Sequence, residues 1–151
     1  MKLEIFTDGA CSGNPGPAGI GVVIKQDGAL IKEISRPIGK ATNNIAEYTA
    51  LICALREALV LKADEVAVKA DSELMCRQVA GKYAVKHANI VPLFEQVKHL
   101  SAGFRRFRLE HVGREHNKEA DRLSRQAVKK AGQDGRPCVL GAGEESPGSK
   151  G

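Results

Sequence analysis

The sequence predicts an α/β fold: a five-stranded mixed sheet, with three antiparallel strands and then a crossover to parallel strands, flanked by helices. Three observations predict it. Short alternating runs separated by turn residues fill the chain up to Pro37. From Asn44 the apolar period lengthens to about 3.6 residues, the spacing of a helix. Beyond that helix, strand-like and helix-like runs alternate, so that the whole order reads βββαβααβα with no internal repeat.

Lys2 to Thr7 alternates as a first strand, and Cys11-Ser-Gly-Asn-Pro-Gly-Pro-Ala is a turn cluster. Ile20 to Lys25 reads as the second strand, Asp27-Gly28 as a hairpin signal, and Leu30 to Pro37 as the third. Short turns between them imply an antiparallel meander. A helix follows from Asn44 to Leu61, with Ile45, Tyr48, Ile52, Leu55 and Leu59 in one stripe, Arg56 and Glu57 opposite, and Thr42, Asn43 and Asn44 as candidate N-caps. Glu65 to Ala70 is a fourth strand running into Asp71-Ser72 and a short helix to about Ala80. Ile90 to Ser101 is a helix with Pro92 in its first turn, Phe104 to Val112 the fifth strand, and Asn117 the cap of a last helix reaching about Ala131. The first long helix provides a crossover that lets strand four lie parallel to strand one. Residues 1–131 thus form one domain, and 132–151, with six Gly and two Pro, are expected to be a flexible tail.

The chain has 151 residues, 42% hydrophobic and 27% charged, which is ordinary for a globular domain with a real core. Aromatics make up only 4% with no Trp, so any nucleic-acid contact cannot lean on stacking. A net charge of +5 favours a polyanionic partner. The excess is local: from Arg77 to Arg114, eight Lys/Arg less Glu95 and Glu110 leave +6, with His87, His99 and His111 besides. A solvated basic face is the equal-weight alternative to a phosphate-binding surface. Cys11, Cys53, Cys76 and Cys138 are widely spaced and form no zinc pattern; Cys53 and Cys76 fall in helical patterns as buried thiols. With no signal-like or membrane-length segment, the expectation is a cytoplasmic monomer with no membrane and no obligate protein partner.

Four acids occupy positions where the pattern predicts burial or a core boundary. Asp8 and Asp71 end the first and fourth strand runs, which the crossover makes parallel neighbours. At about 100° per residue, Glu47 falls beside Leu51, Ala54 and Ala58, and Asp121 falls beside Ser124 and Val128. A carboxylate held out of water costs several kcal/mol unless paired or metal-bound. Singly, each acid is best explained as a cap or a surface pair, and Asp71 as a cap on the helix near Ser72. Jointly, four acids at element ends and inward faces point to a divalent-metal site. Oxygen-only ligands suit Mg²⁺, and two ions about 3.5–4 Å apart can stabilise both oxygens of an in-line phosphoryl displacement.

The segments Thr7-Asp8-Gly9-Ala10-Cys11-Ser12-Gly13-Asn14-Pro15-Gly16-Pro17, Thr42-Asn43-Asn44-Ile45-Ala46-Glu47, Asp71-Ser72 and Asn117-Lys118-Glu119-Ala120-Asp121 resemble type 1 ribonuclease H, in the correct order over residues 1–131. The first two motifs are long and specific; the Asp-Ser pair alone is weak. The resemblance implies the ribonuclease H fold and cleavage of the RNA strand of RNA–DNA hybrids, leaving 5′-phosphate and 3′-hydroxyl ends. It implies Mg²⁺ or Mn²⁺ as cofactor, as two ions held by Asp8, Glu47, Asp71 and Asp121, with Asp8 bridging the ions that activate water and stabilise the departing oxygen. It also implies hybrid contacts by Gly9, Asn14, Asn43 and Asn44 near the scissile phosphate. Asn suits turns and caps equally well, but an amide can read a 2′-OH, which is both donor and acceptor.

His116 precedes Asp121 by five residues. A lone His in such a loop is more often simply exposed. The alternative is that it is similar to a loop histidine of many relatives, implied to shuttle a proton during product release, although the loop here is shorter. Two features depart from the best-known members. Glu73 stands where an amide is common, and Gly81 to Asn89 lacks the Trp-rich basic handle, with Lys82, Tyr83, Lys86 and His87 as partial replacements. Three rival functions share these residues: cleavage of double-stranded RNA as well, a non-catalytic hybrid-binding module, and a metal-dependent phosphomonoesterase. The last leaves Asn14 and the basic segment unexplained.

Overall fold

The computed structural model describes residues 1–134, with side chains described through Ala131. Its five strands are β1 (Lys2–Cys11), β2 (Gly16–Gln26), β3 (Ala29–Ala41), β4 (Glu65–Ala70) and β5 (Arg106–His111). Its helices are α1 (Asn43–Val60), α2 (Glu73–Val79), α3 (Val91–Ser101) and α4 (Lys118–Asp134), with a short 3₁₀ turn at Arg114–His116. The sheet order is β3-β2-β1-β4-β5. β1–β2 and β2–β3 pair antiparallel, while β1–β4 and β4–β5 pair parallel, which is the expected meander and crossover.

Along β1, Leu3 and Ile5 turn to one face and meet Val66, Val68, Leu51, Leu55, Leu93 and Val97 in the main core. Each such fully buried side chain contributes roughly 1.5–3 kcal/mol. The opposite face carries α4, whose Ala120 and Leu123 pack on Val23 with Phe6 beside them. This second layer needs glycine beneath it. A Cβ on Gly21 would lie 2.2 Å from the Ala120 carbonyl oxygen, and one on Gly19 2.4 Å from Ala127 Cβ.

The meander strands are longer than local pattern indicates. β1 continues through Cys11 and β2 begins at Gly16, so only Ser12 to Pro15 form the turn. Gly16 to Gly19 have little strand preference of their own, but β2 lies between two partners and tertiary pairing overrides it. β3 runs on to Ala41 with Pro37 inside it, which an edge strand tolerates. β5 is shorter than expected. Thr42 caps α1, its Oγ1 accepting the Ile45 N–H at 3.2 Å, and Ser72, not Asp71, caps α2 through the Met75 N–H at 3.2 Å.

Asn117 precedes α4 but does not cap it with its side chain. Its Nδ2 donates to the Thr7 carbonyl oxygen at 2.9 Å, tying the start of α4 to β1. The boundary expected at Ala131 moves to Asp134, because one Gly132 costs only about 1 kcal/mol in a helix. The remainder of the expected tail, 135–151, and Cys138 within it lie outside the described residues. Cys53 and Cys76 are buried as expected.

Candidate active site

The parallel ladder between β1 and β4 ends at the pair Thr7–Ala70, so Asp8 and Asp71 are each the next residue past it. Asp8 therefore lies within β1, whose pairing with β2 continues through Gly9, Ala10 and Cys11, while Asp71 follows the end of β4. Gly9 brings the third acid in. A Cβ there would lie 2.3 Å from the Ala46 carbonyl carbon and 2.5 Å from the Glu47 nitrogen, so only glycine lets α1 settle this close to β1. Gly9, expected at the substrate, is buried in that contact.

Ligand oxygens of Asp8, Glu47 and Asp71 all lie within 4.8 Å of one another. Asp8 is 4% exposed and Glu47 7%, and Asp71 is half-buried. The Ser124 hydroxyl donates to Asp8 Oδ2 at 2.7 Å. Glu47 Oε1 is buried and has no hydrogen-bond partner among the described residues. Burial pushes the Asp8 carboxyl up to about 8, against the Ser124 hydrogen bond and with repulsion from Asp71 and Asp121 added. Burial, reinforced by Asp8 and Asp71, also raises Glu47 well above the usual range, with the Gly9 N–H and the Arg114 guanidinium opposing.

Asp121 adjoins Asp8 without joining the three. It is a neighbour close enough to raise Asp8, yet it stands outside the three-acid group, with its carboxylate held by Arg125 Nε at 3.0 and 3.1 Å. Arg125 is four residues on, the spacing that pairs side chains along a helix.

These residues fit a divalent cation. The donors are all carboxylate oxygens, one is buried without a partner, and like charges crowd each other unless a cation joins them. Asp8, Glu47 and Asp71 would hold it, with Asp121 as the adjoining acid. Sequence reading missed Ser124 as the Asp8 partner, Arg125 as the Asp121 partner and Arg114 near Glu47. The first two had a signal, being three and four residues beyond Asp121 on one helix; Arg114 had none.

Asn14 lies exposed in the β1–β2 turn, and its Oδ1 accepts the Asn43 N–H at 2.9 Å, joining that turn to the start of α1. A shallow cleft of about 220 Å³ opens here, lined by Asn14, Thr42, Asn44, Ile45, His87, Asn89 and Ile90. Lys86 is exposed on the α2–α3 connection beside it, and Asn43 is exposed as well. His116 ends the 3₁₀ turn with its side chain 71% exposed, 3.7 Å from Glu115. Glu73 is paired with Arg77 at 2.7 Å, which offsets its charge beside the site. A larger cleft of about 400 Å³, lined by Ser35, Gln126, Lys129 and Lys130, includes none of the acids.

Residues 6–127 match the family model described as reverse transcriptase-like. A bifunctional protein of Mycobacterium tuberculosis is 42% identical over 157 residues, covering 100% of this chain and 43% of that relative. The chain therefore spans less than half of that relative's length. Among solved structures, ribonuclease H1 of the halophilic archaeon Halobacterium salinarum superposes with a TM-score of 0.83 at 35% identity, over 86% of this chain and 99% of that one. LC11 ribonuclease H1, solved in complex with an RNA/DNA hybrid, gives 0.80 at 43% identity, over 85% and 98%.

Proposed function

The chain belongs to the ribonuclease H family, and from that premise we propose that it is a Mg²⁺- or Mn²⁺-dependent endonuclease hydrolysing the RNA strand of RNA–DNA hybrids to 5′-phosphate and 3′-hydroxyl ends. The observation that carries this reading is the meeting of Asp8, Glu47 and Asp71 within 4.8 Å around an unpartnered buried oxygen. When bound there, two divalent ions supply the Lewis acidity that activates water and stabilises the leaving oxygen. Asp8, Glu47, Asp71 and Asp121 provide the oxygens that hold them. Binding them requires Asp121 to share its carboxylate between Arg125 and the site.

Asn14 and Asn44 face one cleft, where their amides read the RNA 2′-OH. Asn43 fixes Asn14 through its backbone N–H, and Lys86 meets a phosphate. His116 moves a proton during product release, which its exposed place at the 3₁₀ turn permits. The substrate partner is the hybrid duplex, on which the chain acts as a monomer in the cytoplasm, its thiols reduced.

One labelled hybrid, incubated with Mg²⁺ or Mn²⁺ beside RNA–RNA and DNA–DNA controls, tests the proposal. Cleavage confined to the hybrid and abolished by EDTA is expected. Undiminished cutting in EDTA sinks it, and equal cutting of RNA–RNA widens the substrate class. For His116, an unchanged kcat and pH profile in His116→Ala removes it from the mechanism.

A further inference from the structure

Tyr48 and Gln78 form a buried polar pair one residue from Glu47, within the apolar core. The Tyr48 hydroxyl on α1 donates to Gln78 Oε1 on α2 at 2.8 Å. Gln78 Nε2 then donates to the Ala84 carbonyl oxygen in the α2–α3 connection at 3.5 Å. That connection folds back on α2: the Lys82 and Tyr83 N–H groups both donate to the Arg77 carbonyl, at 2.9 and 3.3 Å. The Arg77 guanidinium lies 5.5 Å from the Tyr83 ring centroid while pairing with Glu73. At its far end, the His87 carbonyl accepts the Ile90 N–H at 2.9 Å and so starts α3.

Filling the same space with apolar groups would be nearly neutral in stability, whereas a buried hydroxyl and amide cost unless both are satisfied. What the polar pair adds is direction. It links the helix bearing Glu47 to the segment bearing Lys82, Lys86 and His87.

We propose that Tyr48 is a positioning residue: through Gln78 its hydroxyl holds the 81–87 connection in register with α1, so that Lys82 and Lys86 meet phosphates of the duplex whose scissile bond lies at Glu47. This rests on the hybrid-cleaving function proposed above. In Tyr48→Phe, KM for a hybrid rises about five- to tenfold while kcat stays within about twofold, the signature of lost uniform binding. The variant Tyr48→Phe/Gln78→Leu, which leaves no buried amide, recovers the melting temperature but not KM. Replacing Lys82 and Lys86 by Ala raises KM in the wild type and adds little in the Tyr48→Phe background. Amide exchange at Lys82 and Tyr83 quickens in Tyr48→Phe while the α1 core stays protected.

A double variant with wild-type KM overturns the proposal, as do additive lysine effects. So does exchange that is unchanged or quickens throughout the molecule. If the wild type cuts no hybrid, the functional reading fails instead, and the exchange experiment alone decides for or against the tether.

Discussion

The carboxylate group and the α2–α3 connection both adjoin the N-terminal half of α1, and they are built in opposite ways. Asp8 and Glu47 are buried, fixed by sheet pairing and by a helix that only Gly9 admits so closely. Lys82, Lys86 and His87 are exposed on a connection held by backbone turns and one side-chain relay. Charge in the first region is costly to the fold without a cation, so under the proposed function stability and activity oppose each other there. Charge in the second is solvated, so under the proposed function it would act on binding and be screened by salt.

The comparison breaks most sharply at Asp8. Asp8→Asn is expected to lower hybrid cleavage by at least about 10²–10³-fold, the range for deleting one electrostatic stabiliser of a transition state. The same change should raise the melting temperature in EDTA at neutral pH. Single-turnover cleavage and thermal melts read the two effects; a fall in both would refute the opposition of stability and activity.

Gly9→Ala comes next. Its methyl would lie 2.3 Å from the Ala46 backbone, so α1 must lift from β1 and carry Glu47 with it. A loss of about 1–3 kcal/mol, the usual cost of overpacking, is expected in urea unfolding, together with weaker Mg²⁺ binding by calorimetry.

A pH series sharpens the same point. Asp8 stands at about 8 in the folded protein, above its unfolded value of about 4. The folded state therefore holds the extra proton between those values. The stability from that proton is fully present below about pH 4 and is lost as pH rises through about 8. Melts in EDTA should show this decline in the wild type relative to Asp8→Asn, and Mg²⁺ should flatten it. Parallel curves for the two proteins would contradict the burial of Asp8.

The smallest effect belongs to the connection. Lys86→Ala should leave the melting temperature unchanged and raise KM a few-fold at low salt, with the salt slope shallower by about one phosphate contact. Equal loss at high and low salt would show that Lys86 does not meet a phosphate.

Much of this was legible because it is local. Period-2 and period-3.6 patterns mark the start of β1 and place α1, β4 and α3 near their observed ends. Asp8, Glu47 and Asp71 stood out because acids at inward or strand-end positions demand an explanation. The strand ends at Ala10–Cys11 and Gly16–Gly19 were not legible, since glycine and small residues form strands only when neighbours pair with them. Asn117 likewise looked like a cap, and its donation to Thr7, 110 residues away, belongs to no local pattern.

By itself, then, the sequence determined the order of elements, the layers they form and which acids must find partners, because each depends on side-chain polarity at short range. Only the tertiary structure decided that three of the four acids meet within 4.8 Å while Asp121 adjoins Asp8 and pairs with Arg125. It alone decided that Ser124 serves Asp8 and that Tyr48 reaches Ala84 through Gln78. Those outcomes depend on distances of a few ångströms between residues far apart in the chain. Backbone approach and side-chain competition set such distances, and both act only once the layers have packed.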